Sequence, residues 1–165
     1  MTITIEEAIS LIRNSSKYRH SLLVSKIMAT LAKYFDKPER DWMLVGLLHD
    51  LDYDHVEDFS QHGLLASKML ADKLPQEAIH AIQAHDFRSG VKPSNLIDEA
   101  LIFADSFAVF LESNAKFDEN HHVFKAKPWL WSNLTEFQDK YDFNVSELIE
   151  QYQNSRAQPW HEDVP

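Results

Sequence analysis

Five polar side chains in this sequence stand where helical spacing puts apolar ones. His20 precedes Leu23, Val24, Ile27 and Leu31 by three, four, seven and eleven residues, so it shares their face. His49 follows Trp42 and Val45 by seven and four, and His62 precedes Leu65, Ala66 and Met69 by three, four and seven. His85 follows Ala78, Ala81 and Ile82 by seven, four and three. Asp105 lies within LIFADSFAVF, flanked at helical spacing by Leu101, Ile102, Ala108 and Val109. A lone core histidine ordinarily bonds a backbone carbonyl. Four imidazoles and a carboxylate from five segments need a common cause, because a buried carboxylate without compensation is costly. Asp50, next to His49, adds a carboxylate able to serve two ions, one per oxygen. Such nitrogen and oxygen donors suit iron, manganese, cobalt or nickel, one ion or two, with magnesium also admitted.

The remaining histidines serve as controls. His80 falls on a mixed, outer face, His55 in an acidic loop, His121 and His122 in an irregular stretch, and His161 in the tail. Asp50-Leu51-Asp52-Tyr53-Asp54 has the composition of a calcium loop, but His55 and Gln61 occupy the positions that need Gly and Glu. No HExxH, GxSxG, Walker or dinucleotide-binding pattern occurs.

The elements that must carry these residues read as helices. Scarce glycine (3 residues in 165) sits poorly with a turn-rich β protein. Thr4-Ile5-Glu6-Glu7 is a capping box opening a helix to about Arg13, and a second helix is expected from Lys17 to Phe35. Pro38 belongs in the first turn of a third. Further helices are expected at 60–74, 75–84 and 94–111, with Ser94 as the cap of the last, and then near 135–141 and 146–153. Lys116 to Trp131 shows no clear period. The expectation is one all-α domain, a helical bundle over residues 1–153 with the metal site in its core, followed by a polar tail, 154–165.

Charge and composition narrow the partners. With 16 Lys+Arg against 26 Asp+Glu the net charge is −10, and no basic stripe is present to displace counterions from a nucleic-acid backbone. Cys is absent, which excludes disulfides, iron–sulfur clusters and zinc–thiolate sites. The opening MTITIEEAIS lacks the features of a secretory signal, and no apolar run approaches the roughly 20 residues that span a bilayer. A cytoplasmic location, no nucleic acid and no membrane are expected. The oligomeric state is left open.

The set His20 … His49-Asp50 … His62 … His85 … Asp105 resembles the HD-domain metal-dependent phosphohydrolase superfamily. Its signature is His … His-Asp … Asp on an all-α scaffold, and its two-metal branch adds two histidines between. The resemblance covers roughly residues 17–112 and rests on MLVGLLHDLDY, HGLLASKML, AIQAHD and LIFADSF. It implies that His20, His49, Asp50 and Asp105 hold one metal, and that His62 and His85 serve a second with Asp50 bridging. Asp50 and Asp52 are the acids assigned to the reaction centre. Asp52 is either the partner of a ligand imidazole or a helix-terminal acid.

The implied reaction is hydrolysis of a nucleotide or another small phosphate ester or anhydride by metal-activated water. Many relatives read His-Asp-Ile-Gly-Lys, whereas here Tyr53 replaces the lysine that could contact a phosphate. In this respect the chain is similar to small bacterial HD-domain proteins reading His-Asp-Leu/Ile-Asp-Tyr. Tyr53, Arg88 and Lys92 are therefore the candidates for touching substrate. Two alternatives share the ligands: a di-iron HD-domain oxygenase cleaving a C–P or C–C bond, and a metal-binding or regulatory module without turnover.

Overall fold

The computed structural model describes residues 2–155. Every regular element among them is helical, as expected. The chain divides between Val109 and Phe110 into two compact units.

The first unit holds α1 (Ile5–Ile12), α2 (Tyr18–Tyr34), α3 (Glu39–Leu48), α4 (Leu64–Met69), α5 (Gln76–Ala84) and most of α6 (Leu96–Glu112). The capping box forms: Glu7 N–H donates to Thr4 Oγ1 at 3.1 Å, and Thr4 N–H donates to Glu7 Oε2 at 2.8 Å. Helices α2 and α3 form the most extensive pair, and Gly46 permits it. A Cβ at Gly46 would lie 2.8 Å from Ser25 Cα on α2, closer than packed atoms allow. Val24, Ile27, Met28 and Leu31 of α2 and Leu44, Val45 and Leu48 of α3 are fully buried there.

Several boundaries differ from the sequence expectation, each for a local reason. The helix expected over 60–74 is only Leu64–Met69. Residues 59–61 form a separate 3-10 turn, and His62 is extended rather than helical. Met69, expected on the buried face, is 44% exposed, because α4 turns Ala66 and Ser67 inward instead. Pro38 lies just before α3 rather than inside its first turn. Asn95, not Ser94, caps α6, its Oδ1 accepting from Asp98 N–H at 3.2 Å.

The second unit contains the end of α6, α7 (His122–Ala126), α8 (Pro128–Tyr141) and α9 (Val145–Ser155). Phe110 stacks on Phe124 at 5.8 Å, and Trp131 packs on Phe117 at 4.9 Å, giving this unit an aromatic core. Helix α8 opens seven residues earlier than the expected Thr135, because Pro128 supplies a preset first turn. Asn154 and Ser155, assigned to the tail, continue α9. The rest of that tail, with His161, lies outside the described residues.

Candidate metal centre

The polar residues singled out by their spacing come together within the first unit. His20 is carried by α2, His49 and Asp50 by the end of α3, His62 by the extended stretch before α4, His85 by the end of α5, and Asp105 by the middle of α6. His20, His49, Asp50, His62 and His85 are all buried, with His49 at 0% exposure, while the Asp105 side chain keeps 23%. Two triads each bring three ligand atoms within 4.8 Å of one another: His20, His49 and Asp50, and Asp50, His62 and His85. Asp50 is common to both. Its Oδ1 faces His62 Nε2 at 3.0 Å and His85 Nε2 at 3.6 Å. Its Oδ2 faces His49 Nε2 at 3.4 Å and His20 Nε2 at 3.9 Å. Asp105 joins the first triad, with Oδ1 2.8 Å from His20 Nε2 and 3.9 Å from His49 Nε2.

The tautomers of three rings follow from their outer nitrogens. His49 Nδ1–H donates to the Gly46 carbonyl at 2.8 Å, and His85 Nδ1–H donates to the Ile82 carbonyl at 2.7 Å, since a carbonyl can only accept. His62 Nδ1–H donates to Asp52 Oδ1 at 2.7 Å. In each ring Nδ1 is held by its outer partner and Nε2 is turned toward the cluster. Helix ends make this possible. His49 and His85 each reach back to a carbonyl three residues earlier, in the last turn of their helices.

Asp52 secures the His62 segment. Beyond the imidazole, its Oδ2 accepts from the backbone N–H groups of Gly63 and Ala66, both at 2.9 Å, so it orients His62 and caps the start of α4. Gly63 has φ +74°, and a Cβ there would meet the Ile82 carbonyl at 2.4 Å and the His85 ring at 3.3 Å. Two of the chain's three glycines thus stand beside the cluster.

The electrostatics fit a cation. Burial, only partly offset by Asp50 and Asp105, pushes the His49 imidazole down to about 4, so it is neutral near pH 7. With Nδ1 bearing the proton, the Nε2 lone pair faces two carboxylate oxygens, and this buried atom has no hydrogen-bond partner. Burial also opposes charge on His62, but hydrogen bonds to Asp50 and Asp52 overcome it and raise it to about 9. His85 is raised as well: burial works against it, and Asp50 prevails. Burial resists ionisation of Asp50 and Asp105 too. His49, His62 and His85 nonetheless hold Asp50 well below the usual carboxylate range, and His20 lowers Asp105. Imidazole nitrogens and carboxylates converging in a buried space form a donor set that could hold a metal ion.

The residues expected at the substrate side are placed less uniformly. Tyr53 is half-buried with its ring edge-on to His62 at 5.5 Å. Arg88 lies over the Phe59 ring at 4.4 Å and interacts electrostatically with Asp105, but its guanidinium is bound by both oxygens of Asp86. Lys92 is exposed, and no described contact joins it to the cluster. His55 is exposed, and His121 accepts from Val123 N–H at the start of α7. One neighbour escaped the sequence reading. Lys17 Nζ lies 3.8 Å from Asp50 Oδ2, and its place three residues before His20 was the available signal.

A family model described as HD domain matches residues 18–109, more than half of the chain. The chain belongs to the HD domain family. No match was found among curated proteins or among solved structures. No helix among the described residues is long and apolar enough to cross a membrane.

Proposed function

We propose that the protein is a metal-dependent phosphohydrolase acting on a small phosphate ester or anhydride, a nucleotide among them. The observation that carries this is the convergence of two buried triads on Asp50, with the neutral, unpartnered His49 Nε2 facing the oxygens of Asp50 and Asp105. A lone pair in that position suits a cation, and His62 and His85 Nε2, which share Asp50 Oδ1, would turn to a second ion on giving up their protons. His20, His49, Asp50 and Asp105 would hold one ion, and Asp50, His62 and His85 a second. Such ions lower the pKa of a bound water and neutralise charge on a phosphoryl group.

The chain's own residues orient the cluster. Gly46 and Ile82 carbonyls fix the rings of His49 and His85, and Asp52 fixes His62, which makes Asp52 a positioning residue. Buried Asp50 brings the two triads to one carboxylate. The partial exposure of Asp105 gives this side of the cluster access to solvent and so to substrate.

The test is phosphate release from a panel of nucleotides, sugar phosphates and anhydrides by protein loaded with Mn²⁺, Fe²⁺, Co²⁺ or Ni²⁺, run without oxygen. Anaerobic turnover that disappears in Asp50→Ala is the expected result. Metal bound with no release on any substrate would point to a binding module. Turnover of a phosphonate that needs iron and consumes dioxygen would point to an oxygenase.

A further inference from the structure

Lys17 stands one turn before His20, at the start of α2, with its side chain 27% exposed. Its ammonium lies 3.8 Å from Asp50 Oδ2 and 4.1 Å from the centre of the Tyr53 ring. That ring is packed edge-on against Phe59 at 5.4 Å and His62 at 5.5 Å, so a firm aromatic surface lies beneath the cation. The backbone on either side is tied down by Asp54, whose Oδ2 accepts from Ser15 Oγ at 2.9 Å and Ser16 N–H at 2.8 Å. This carboxylate joins the 3-10 turn bearing Tyr53 (Tyr53–His55) to the two residues before Lys17. The lysine is therefore placed from below and from behind.

Asp50 is its only anionic partner among the described contacts, and that carboxylate is the one shared by both triads. With cations in the triads, Asp50 would be engaged by them and would balance the ammonium less, leaving Lys17 a partly exposed positive charge able to take an anion. Arg88 differs, because Asp86 already neutralises its guanidinium. A lysine ammonium is a compact charge with three donors, suited to oxygens of a phosphoryl group.

We propose that Lys17 is the residue that binds the substrate's phosphoryl group at this site, with Tyr53 as its positioning residue. This rests on the phosphohydrolase function proposed above. Lys17 supplies an N–H donor to a non-bridging phosphoryl oxygen, and no bond is made or broken in the step. Tyr53 acts through its ring, so its hydroxyl is dispensable.

The test is calorimetric binding of inorganic phosphate to Mn²⁺-loaded protein, with Mn²⁺ affinity measured separately. Lys17→Met should weaken phosphate binding by roughly tenfold or more, the scale of one charge-assisted hydrogen bond. Its Mn²⁺ affinity should stay the same or tighten, since a like charge is removed. Lys17→Arg should restore phosphate binding to within about threefold, and Tyr53→Phe should match wild type while Tyr53→Leu weakens it. Unchanged phosphate binding in Lys17→Met with its metal retained overturns the assignment and leaves the phosphohydrolase function standing. So does loss of phosphate binding in Arg88→Met alone, or loss of Mn²⁺ in Lys17→Met. Failure of wild-type, metal-loaded protein to bind phosphate overturns the assignment alone if it still releases phosphate from a substrate, and both together if it does not.

Discussion

Two histidine–aspartate pairs in this protein are built alike and serve different ends. His62 Nδ1 meets Asp52 at 2.7 Å, and His80 Nδ1 meets Asp98 at 2.8 Å. Both aspartates are 0% exposed, and both accept backbone N–H groups at the start of a helix, Asp52 from Gly63 and Ala66, Asp98 from Ser94 and Asn95. The difference lies at the far nitrogen. His62 Nε2 is aimed at Asp50 Oδ1, 3.0 Å away, and at His85 Nε2, 3.2 Å away. The His80 side chain is 34% exposed, and no described contact joins it to a second imidazole. Asp98 even has a buried oxygen without a partner, so an orphaned atom alone does not define a site. Convergence of several donors does. A histidine–aspartate pair is an anchoring device, and what it anchors depends on where the other nitrogen points.

The contrast makes graded demands on mutants. The largest effect should come from Asp50→Ala, which removes the carboxylate shared by both triads: activity should fall by about a thousandfold or more, the scale of losing a principal charge-stabilising group. Phosphate release at saturating metal measures it. Asp52→Asn should cost about ten- to a hundredfold in metal affinity, the scale expected if the His62 imidazole it orients holds a metal. Asp98→Asn should leave metal affinity unchanged and cost about 1 kcal/mol of stability through the weakened cap. Equal metal loss in these two would erase the distinction.

Gly63→Ala places a side chain at positive φ and against the Ile82 carbonyl, so a loss of about 2–4 kcal/mol is expected, read as a lowered urea midpoint.

The pH dependence of the metal-free protein tests the His62 pair directly. His62 is raised to about 9 against an ordinary value near 6.5, so the folded state holds its proton more tightly than the unfolded chain. That contribution is fully present below about pH 6.5 and is lost as pH rises through about 9, and His85 acts in the same direction. Urea midpoints of metal-free protein should therefore fall across this window, and His62→Ala should flatten the fall. The smallest effect belongs to His80→Ala, with metal content unchanged and stability lowered by about 1 kcal/mol, the loss of one hydrogen bond.

The sequence showed the cluster more clearly than the frame around it. His20, His49, His85 and Asp105 announced themselves by sitting at helical spacing among Leu, Ile and Ala, and burial of such groups is costly enough to be informative. His62 was found by the same spacing although it lies outside α4, because Asp52 and Gly63 stop the helix one residue beyond it. That long-range cap is invisible to local periodicity. Pro128 and the aromatic packing of Phe117, Phe124 and Trp131 order a stretch whose pattern is mixed because its partners are distant in sequence. Lys17 was passed over since an exposed charge before a helix is commonplace. Only the approach of Asp50 and Tyr53 gives it meaning.

Elemental analysis of protein purified without chelator is the deciding experiment, with wild type compared against His62→Ala, His85→Ala and His80→Ala. About two transition-metal equivalents are expected in wild type and in His80→Ala, falling toward one or below in the other two, because Asp50 is shared by two triads. Less than about a tenth of an equivalent in wild type, with none regained on adding Mn²⁺, Fe²⁺, Co²⁺ or Ni²⁺, would contradict the metal centre and leave the buried histidines as structural groups.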